Sequence, residues 1–171
     1  MEKQKINLND IKVAIFDFDE TLAIHKDKNF VKHREESEEN FLKFFSNAYA
    51  NPDCFYDEIE PCTKSETLYN LINNLRNRNI KIYCLSGMKF SFHLKAKQSF
   101  INKHYGKDIE VITTTSQELK LKGVKILQRV NNCNLDEILF VDDRQDVIEL
   151  LNQNGIKGIN VDDINLLRCS L

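Results

Sequence analysis

The chain has 171 residues, 42% hydrophobic and 29% charged, with 24 Lys and Arg against 26 Asp and Glu and a formal net charge of −2. That composition excludes a disordered or fibrous chain, and the near-neutral balance argues against a strongly basic nucleic-acid binder. No apolar run approaches the roughly 20 residues that cross a bilayer, so no membrane partner is expected.

A domain of this length buries roughly 70% of the surface its unfolded chain exposes, so a core forms without disulfide or metal staples. The opening stretch, Met1 to Asp10, is too polar for a secretory signal, and a cytoplasmic location is expected. Five cysteines (Cys54, Cys62, Cys84, Cys133 and Cys169) form no Cys-x-x-Cys pair and read as reduced thiols, with Cys54 and Cys62 as the pair to watch for redox chemistry. Two prolines and no low-complexity tract or repeat make one domain over 1–171 the expectation.

The first predicted element is a strand, Val13-Ala14-Ile15-Phe16, short, apolar and rich in β-branched residues. About 40 residues then separate it from the next helix, between Leu22 and Cys62, where βα connections usually take 2 to 6. Within this insertion Phe41, Leu42, Phe44, Phe45, Ala48 and Tyr49 make an apolar stripe at helical spacing behind an acidic run at 35–39. That helix either packs its stripe on the sheet or forms a lid. The next helix carries Leu68, Leu71, Ile72 and Leu75 on one face, with Thr63 and Glu66 at capping-box spacing. A strand over 80–85 follows, then a helix over 90–105 with Leu94, Ile101 and Tyr105 among its apolar positions and Gly106 as its stop. The remaining elements are a strand at 109–112, a helix at 119–130, a strand at 138–141, a helix holding Val147, Ile148, Leu150 and Leu151 before Gly155, and a strand at 156–161. Near-continuous apolar strands alternating with helices predict an α/β fold: a doubly wound, mainly parallel, five-stranded sheet with right-handed crossovers and its ligand site at the strands' carboxyl ends.

Two acidic motifs stand at such ends. Phe16-Asp17-Phe18-Asp19-Glu20-Thr21 closes the first strand, and alternation would send Asp17 and Asp19 to the same side. Phe140-Val141-Asp142-Asp143-Arg144-Gln145-Asp146 closes the fourth. If those strands are neighbours, Asp142 joins the first pair, with Asp143 or Asp146 in support. Carboxylates gathered with oxygen-only ligands point to Mg²⁺ rather than zinc. Each motif alone also suits a helix cap or turn. Ser86 and Gly87, after the second strand, offer a hydroxyl and a close-approaching backbone NH to an anion, though an isolated Ser-Gly is also an ordinary turn. Lys120, Lys122 and Lys125 are candidates for a cation aimed at the site, and each also reads as a solvated lysine.

In this order on one fold, the motifs resemble those of the haloacid dehalogenase (HAD) superfamily, over about Lys12 to Val161. Asp17, Asp19 and Thr21 match its first motif, Ser86 its second, Lys122 its third through the Lys-Gly pair it forms with Gly123, and Asp142 with Asp143 or Asp146 its fourth. Glu20 departs from the pattern where Gly is common, as does Val141 before the acidic pair. The resemblance implies an aspartyl-phosphate phosphatase. Asp17 would be the nucleophile and Asp19 the acid and base; Thr21, Ser86, Gly87 and Lys122 would hold phosphate; Asp17, the Asp19 carbonyl and Asp142 would bind Mg²⁺. The insertion, counted as 22–63, resembles that of small-cap or capless members. These often act on phosphorylated macromolecules, so the partner implied is a phosphorylated small molecule or macromolecular end, with nucleic acid only as substrate. His25, Lys26, Lys28, Lys32, His33 and Arg34 would stand near the entrance, as an anionic grip or a solvated loop. A phosphotransferase with the same intermediate and a HAD-like interaction module without turnover are the alternatives. A phosphorylatable receiver domain would need its Asp after the third strand, where Thr113-Thr114-Thr115 stands instead.

Overall fold

The computed structural model describes residues 6–26, 59–87, 93–116 and 119–167. In chain order the elements are β1 (Val13–Phe16), β2 (Ala23–His25), β3 (Ile59–Pro61), α1 (Ser65–Asn77), β4 (Lys81–Gly87), α2 (His93–His104), β5 (Glu110–Thr114), α3 (Lys120–Val130), β6 (Ile138–Asp142), α4 (Gln145–Gln153) and β7 (Lys157–Asn160). Five strands form one sheet in the order β5-β4-β1-β6-β7, with every pairing parallel. These are the five predicted strands in the predicted α/β, doubly wound arrangement, and β1 and β6 are neighbours.

Both faces of the sheet are covered, which is why the inner strands β1 and β6 are buried along their whole length, while the edge strands β5 and β7 carry polar, half-buried positions. Along β1 the side chains alternate: Ala14 and Phe16 pack into one cluster with Leu68, Ile72 and Leu75 of α1 and Phe100 and Ile101 of α2. Val13 and Ile15 pack into the other, with Val124 and Leu127 of α3 and Val147 and Leu151 of α4. Burying each such side chain contributes roughly 1.5–3 kcal/mol, so the two apolar layers fix the helices to opposite faces.

Each helix ends on a residue in the left-handed region. Gly106 (φ 118°) follows α2 and Gly155 (φ 81°) follows α4, as expected, while Asn79 (φ 57°) and Asn132 (φ 49°) perform the same task after α1 and α3. Asparagine tolerates this conformation better than other non-glycine residues, and the turn lets the Ile80 NH reach back to the Leu75 carbonyl at 3.0 Å.

One expectation is corrected and one element is added. The Thr63–Glu66 capping box does not form, because α1 begins at Ser65 with Lys64 as its N-cap and no side-chain cap bond. The ends of the insertion also pair as a small antiparallel ladder, β2 with β3 (Ala23↔Pro61, Ile24↔Glu60, His25↔Ile59), which three-residue strands give no periodicity to reveal. The predicted helix with its stripe from Phe41 to Tyr49 lies outside the described residues, as do the acidic run at 35–39, Lys28, Lys32, His33, Arg34, Cys54 and Cys169. Cys62, Cys84 and Cys133 are buried free thiols. Among the described residues no helix is long and apolar enough to cross a membrane.

Candidate active site

The site begins where β1 stops. The Asp17 NH donates to the Val141 carbonyl at 2.9 Å, which extends the β1–β6 ladder one step past Phe16 and holds Asp17 level with the end of β6. This is the crevice where the chain has wound outward in both directions, through β4 and β5 on one side and β6 and β7 on the other. Side chains there face an opening that no crossover covers. Asp17, Asp142 and Asp143 each offer one carboxylate oxygen, all within 4.8 Å of one another. Asp17 is 2% exposed and Asp142 fully buried.

Lys120, at the first turn of α3 and fully buried, lies between two of these acids. Its Nζ stands 3.0 Å from Asp17 Oδ2 and 2.6 Å from Asp142 Oδ2, so the two carboxylates face a common point. The second oxygen of Asp142 accepts from the Arg144 backbone NH at 2.9 Å. Asp17 Oδ1 is buried with no hydrogen-bond partner among the described residues. Burial lifts the Asp17 carboxyl above the usual range, to about 6; Lys120 opposes that shift, and the negative charges of Asp142 and Asp19 add to it. Asp142 is raised too, by burial first, against the pull of Lys120. Burial works against the charged form of Lys120, but Asp17 and Asp142 outweigh it and raise its pKa.

The lysine assignment from sequence is corrected here. Lys122 is exposed on the outer side of α3, while Lys120, about 200° away around the helix, is the one turned to the acids. Gly123 suits its place for a different reason: a Cβ there would come within 3.1–3.2 Å of the Leu85 methyls and 3.3 Å of Thr114 Cγ2. Its lack of a side chain seats α3 close against β4 and β5, and thereby sets the depth of Lys120.

Asp19 is held separately. The chain leaves strand geometry at Phe16, so alternation no longer decides where Asp19 points. Its Oδ2 is 2.7 Å from Lys97 Nζ and 3.5 Å from Ser86 Oγ, at the end of β4. The turn that carries it needs a left-handed residue, and Glu20 takes that role at φ 59°, which explains why glycine would suit the position. The Glu20 side chain stays useful there, because Oε1 accepts from the His25 NH at 3.3 Å and ties the turn to β2. Thr21 is fully buried, and its Oγ1 has no hydrogen-bond partner among the described residues. Gly87 ends β4 opposite Thr114 of β5.

Of the two supporting acids in the fourth motif, Asp143 belongs to the cluster. Asp146 does not: it is largely exposed and forms an ion pair with Arg144 at 2.6 Å, and that guanidinium holds its carboxyl below the ordinary value. Lys97 was not anticipated at all. Its signal was present, because Leu94, Lys97 and Ile101 share one row of α2 at i, i+3 and i+7, so a lysine stands in a stripe otherwise read as apolar.

A divalent cation suits this cluster. Three carboxylates and one ammonium leave two negative charges among Asp17, Asp142, Asp143 and Lys120, while Asp19 and Lys97 neutralise each other. A buried carboxylate oxygen without a partner costs on the order of 1–3 kcal/mol, and hard oxygen ligands favour Mg²⁺.

No family profile matches the sequence, and a search of curated proteins finds no relative. Solved structures do match. A HAD family enzyme from Bacteroides thetaiotaomicron, an Asp-to-Ala variant in complex with magnesium and inorganic phosphate, is 14% identical with a TM-score of 0.57, covering 87% of this chain and 93% of its own. A phosphoserine phosphatase in apo form is 16% identical with a TM-score of 0.54, covering 88% and 86%. The N-terminal part of a Bacteroides fragilis protein, containing a phosphatase domain and complexed with Mg, is 15% identical with a TM-score of 0.57, covering 94% of this chain and 42% of that one. The fold of this chain is therefore that of the HAD-like hydrolases.

Proposed function

We propose that this protein is a Mg²⁺-dependent phosphomonoester hydrolase of the HAD superfamily, working through an aspartyl-phosphate on Asp17. The observation that carries the reading is the state of Asp17: buried, held at Oδ2 by Lys120, with Oδ1 unengaged inside an acid cluster left two charges negative. A capping or turn-forming aspartate needs none of these features. Solved structures of the same fold, one a HAD enzyme with magnesium and inorganic phosphate and another a phosphoserine phosphatase, support the same class of chemistry.

In the proposed reaction Asp19, ionised beside Lys97 in the free protein, takes up a proton from solvent before the step; the Asp17 carboxylate attacks phosphorus as the ester P–O bond breaks, and Asp19 gives that proton to the departing alcohol oxygen. Asp19 then takes a proton from water as that water attacks phosphorus, the bond to Asp17 breaks, and inorganic phosphate leaves. Asp17, Asp142 and Asp143 would hold Mg²⁺ with the Asp19 carbonyl, and the ion would supply charge neutralisation at the phosphoryl oxygens. Ser86, the Gly87 backbone NH and the buried Thr21 hydroxyl are the proposed donors to those oxygens, in a site where fixed donors are worth far more than in water. Lys120 keeps Asp17 ionised while two other carboxylates crowd it. A panel of phosphomonoesters assayed with and without Mg²⁺ tests the reading: turnover requires Mg²⁺ and is abolished in Asp17→Asn. No turnover of any ester by the wild-type protein would refute it.

A further inference from the structure

We propose that Lys97 is a positioning residue that fixes Asp19 and sets the Ser86 hydroxyl as a donor towards the phosphoryl group; the inference rests on the phosphatase reading above. Lys97 lies on the inward face of α2 beside Phe100 and Ile101, and its side chain is only 5% exposed. Its Nζ is 2.7 Å from Asp19 Oδ2, 2.7 Å from Ser86 Oγ and 4.4 Å from the centre of the Phe18 ring. An ammonium has three hydrogens and no lone pair, so the bond to Ser86 has one polarity, with the serine oxygen accepting. The serine's own hydrogen is then left to donate. Its acceptor in the structure, Asp19 Oδ2, is at 3.5 Å, the far limit of a hydrogen bond, so a phosphoryl oxygen would be the better acceptor.

The same ammonium governs Asp19. That residue sits on a turn beyond the end of β1, its backbone in an isolated bridge with Ala23, and the ion pair fastens its carboxylate to a buried point on α2. Helices on opposite faces of the sheet thus supply one lysine each: α3 gives Lys120 to Asp17, and α2 gives Lys97 to Asp19. A general acid has to lie within hydrogen-bond reach of the leaving oxygen, and a displacement of about 1 Å can cost on the order of 10²-fold.

The test replaces Lys97 with Met, which keeps length and apolar volume and removes the charge. With Mg²⁺ present, kcat for an alkyl phosphate, whose leaving group needs the acid, is expected to fall about 10²-fold, and kcat for p-nitrophenyl phosphate, whose leaving group does not, by less than about tenfold. The dissociation constant of inorganic phosphate should rise about tenfold, with that of Mg²⁺ within about twofold of wild type, because Lys97 contacts none of Asp17, Asp142 and Asp143. Lys97→Arg should recover at least part of the alkyl-phosphate rate. Equal fractional loss on both esters with unchanged phosphate affinity would overturn the proposal and leave Lys97 a merely structural lysine. Should Lys97→Met fail to fold, Lys97→Gln carries the same comparison with the same outcomes. If the wild-type protein binds phosphate but turns over neither ester, the phosphatase reading fails, and the phosphate affinities alone decide on Lys97: a tenfold loss supports it and no loss overturns it.

Discussion

Removing the charge of Asp17 should stabilise the metal-free protein, and by an amount that grows with pH. Its carboxyl is raised from 3.8 to about 6, burial being the largest cause. A gap of about 2 pH units is worth about 3 kcal/mol, since each unit corresponds to about 1.4 kcal/mol. The sign follows from proton counts. Between about pH 4 and 6 the folded state keeps the Asp17 proton while the unfolded chain has released it, so stability from this group falls as pH rises through that window. Asparagine does not titrate, and the stability difference between Asp17→Asn and wild type cancels the acids remote from the cluster, leaving Asp17 and the neighbours it shares with Lys120. That difference should move in favour of the variant by about 3 kcal/mol between pH 4 and pH 7, or roughly 6–12 °C in melting temperature for a domain of this size. Urea unfolding of both proteins in EDTA, at four or five pH values across the range, reads it directly. In Mg²⁺ the trend should shrink or reverse, because the ion demands the ionised carboxylate. A metal-free difference that stays flat from pH 4 to 7 would show that Asp17 is not held in a desolvated, anion-crowded position, and the argument for a cation there would go with it.

Mg²⁺ itself should raise the melting temperature, because it binds the folded cluster and not the dispersed acids of the unfolded chain; at a hundred times the dissociation constant the gain is about 2.7 kcal/mol, and an unchanged melting curve at millimolar Mg²⁺ would count against the site. Asp19→Asn should lower kcat by about 10²-fold or more on alkyl phosphates, as expected for one lost general acid, with burst kinetics on good leaving groups showing whether the intermediate still forms. Glu20→Gly removes a left-handed strain of about 1 kcal/mol but also the bond to the His25 NH, so the melting temperature should change by no more than a few degrees, whereas Glu20→Val, strained and unable to accept, should be clearly destabilised. Away from the site, the Arg76 guanidinium holds the Asp108 carboxyl below its ordinary value through contacts at 2.7 Å. The stabilisation is present above the unfolded pKa of Asp108 and lost as pH falls through the folded one, so Asp108→Asn should leave the protein less stable at pH 7 and nearly unaffected at the acid end, as urea unfolding at the two pH values would show.

Much of this architecture could be read from the sequence because it depends on local patterns. The apolar runs that became β1, β4, β5, β6 and β7 needed no partner to be recognised, those of β1 and β6 because they are buried on both faces, and Gly106 and Gly155 mark helix ends through their own backbone preference. The acids at 17 and 142 were legible because strand ends in such a sheet fall on one edge. What stayed hidden depends on rotation and depth. Choosing among Lys120, Lys122 and Lys125 required the helical phase of α3, and the Lys-Gly pair drew attention to Lys122 when Gly123 serves the packing of α3 on Leu85. The β2–β3 ladder joins residues more than thirty apart in three-residue strands, below any periodic signal.

The lysines also change how the acid cluster is understood. The sequence suggested that a divalent cation alone would make the gathered carboxylates tolerable, but the fold supplies much of the compensation itself. Lys120 stands between Asp17 and Asp142, and Lys97 takes the charge of Asp19. Without them four carboxylates would face one ion of charge +2 and leave the pocket strongly negative, hostile to any phosphoryl group. With them, and with Asp19 ionised as in the free protein, the acids and lysines sum to −2, so a bound divalent ion brings the pocket to neutrality. A phosphate dianion entering that pocket would meet no net repulsion. The separation of tasks follows from the sheet. Lys120 reaches its acids from one face and Lys97 from the other, so Asp17 can be buried and crowded while Asp19, partly exposed, stays close to where a leaving group would emerge. Two aspartates two residues apart thus acquire different surroundings, which is the condition for one to act as nucleophile and the other to carry a proton.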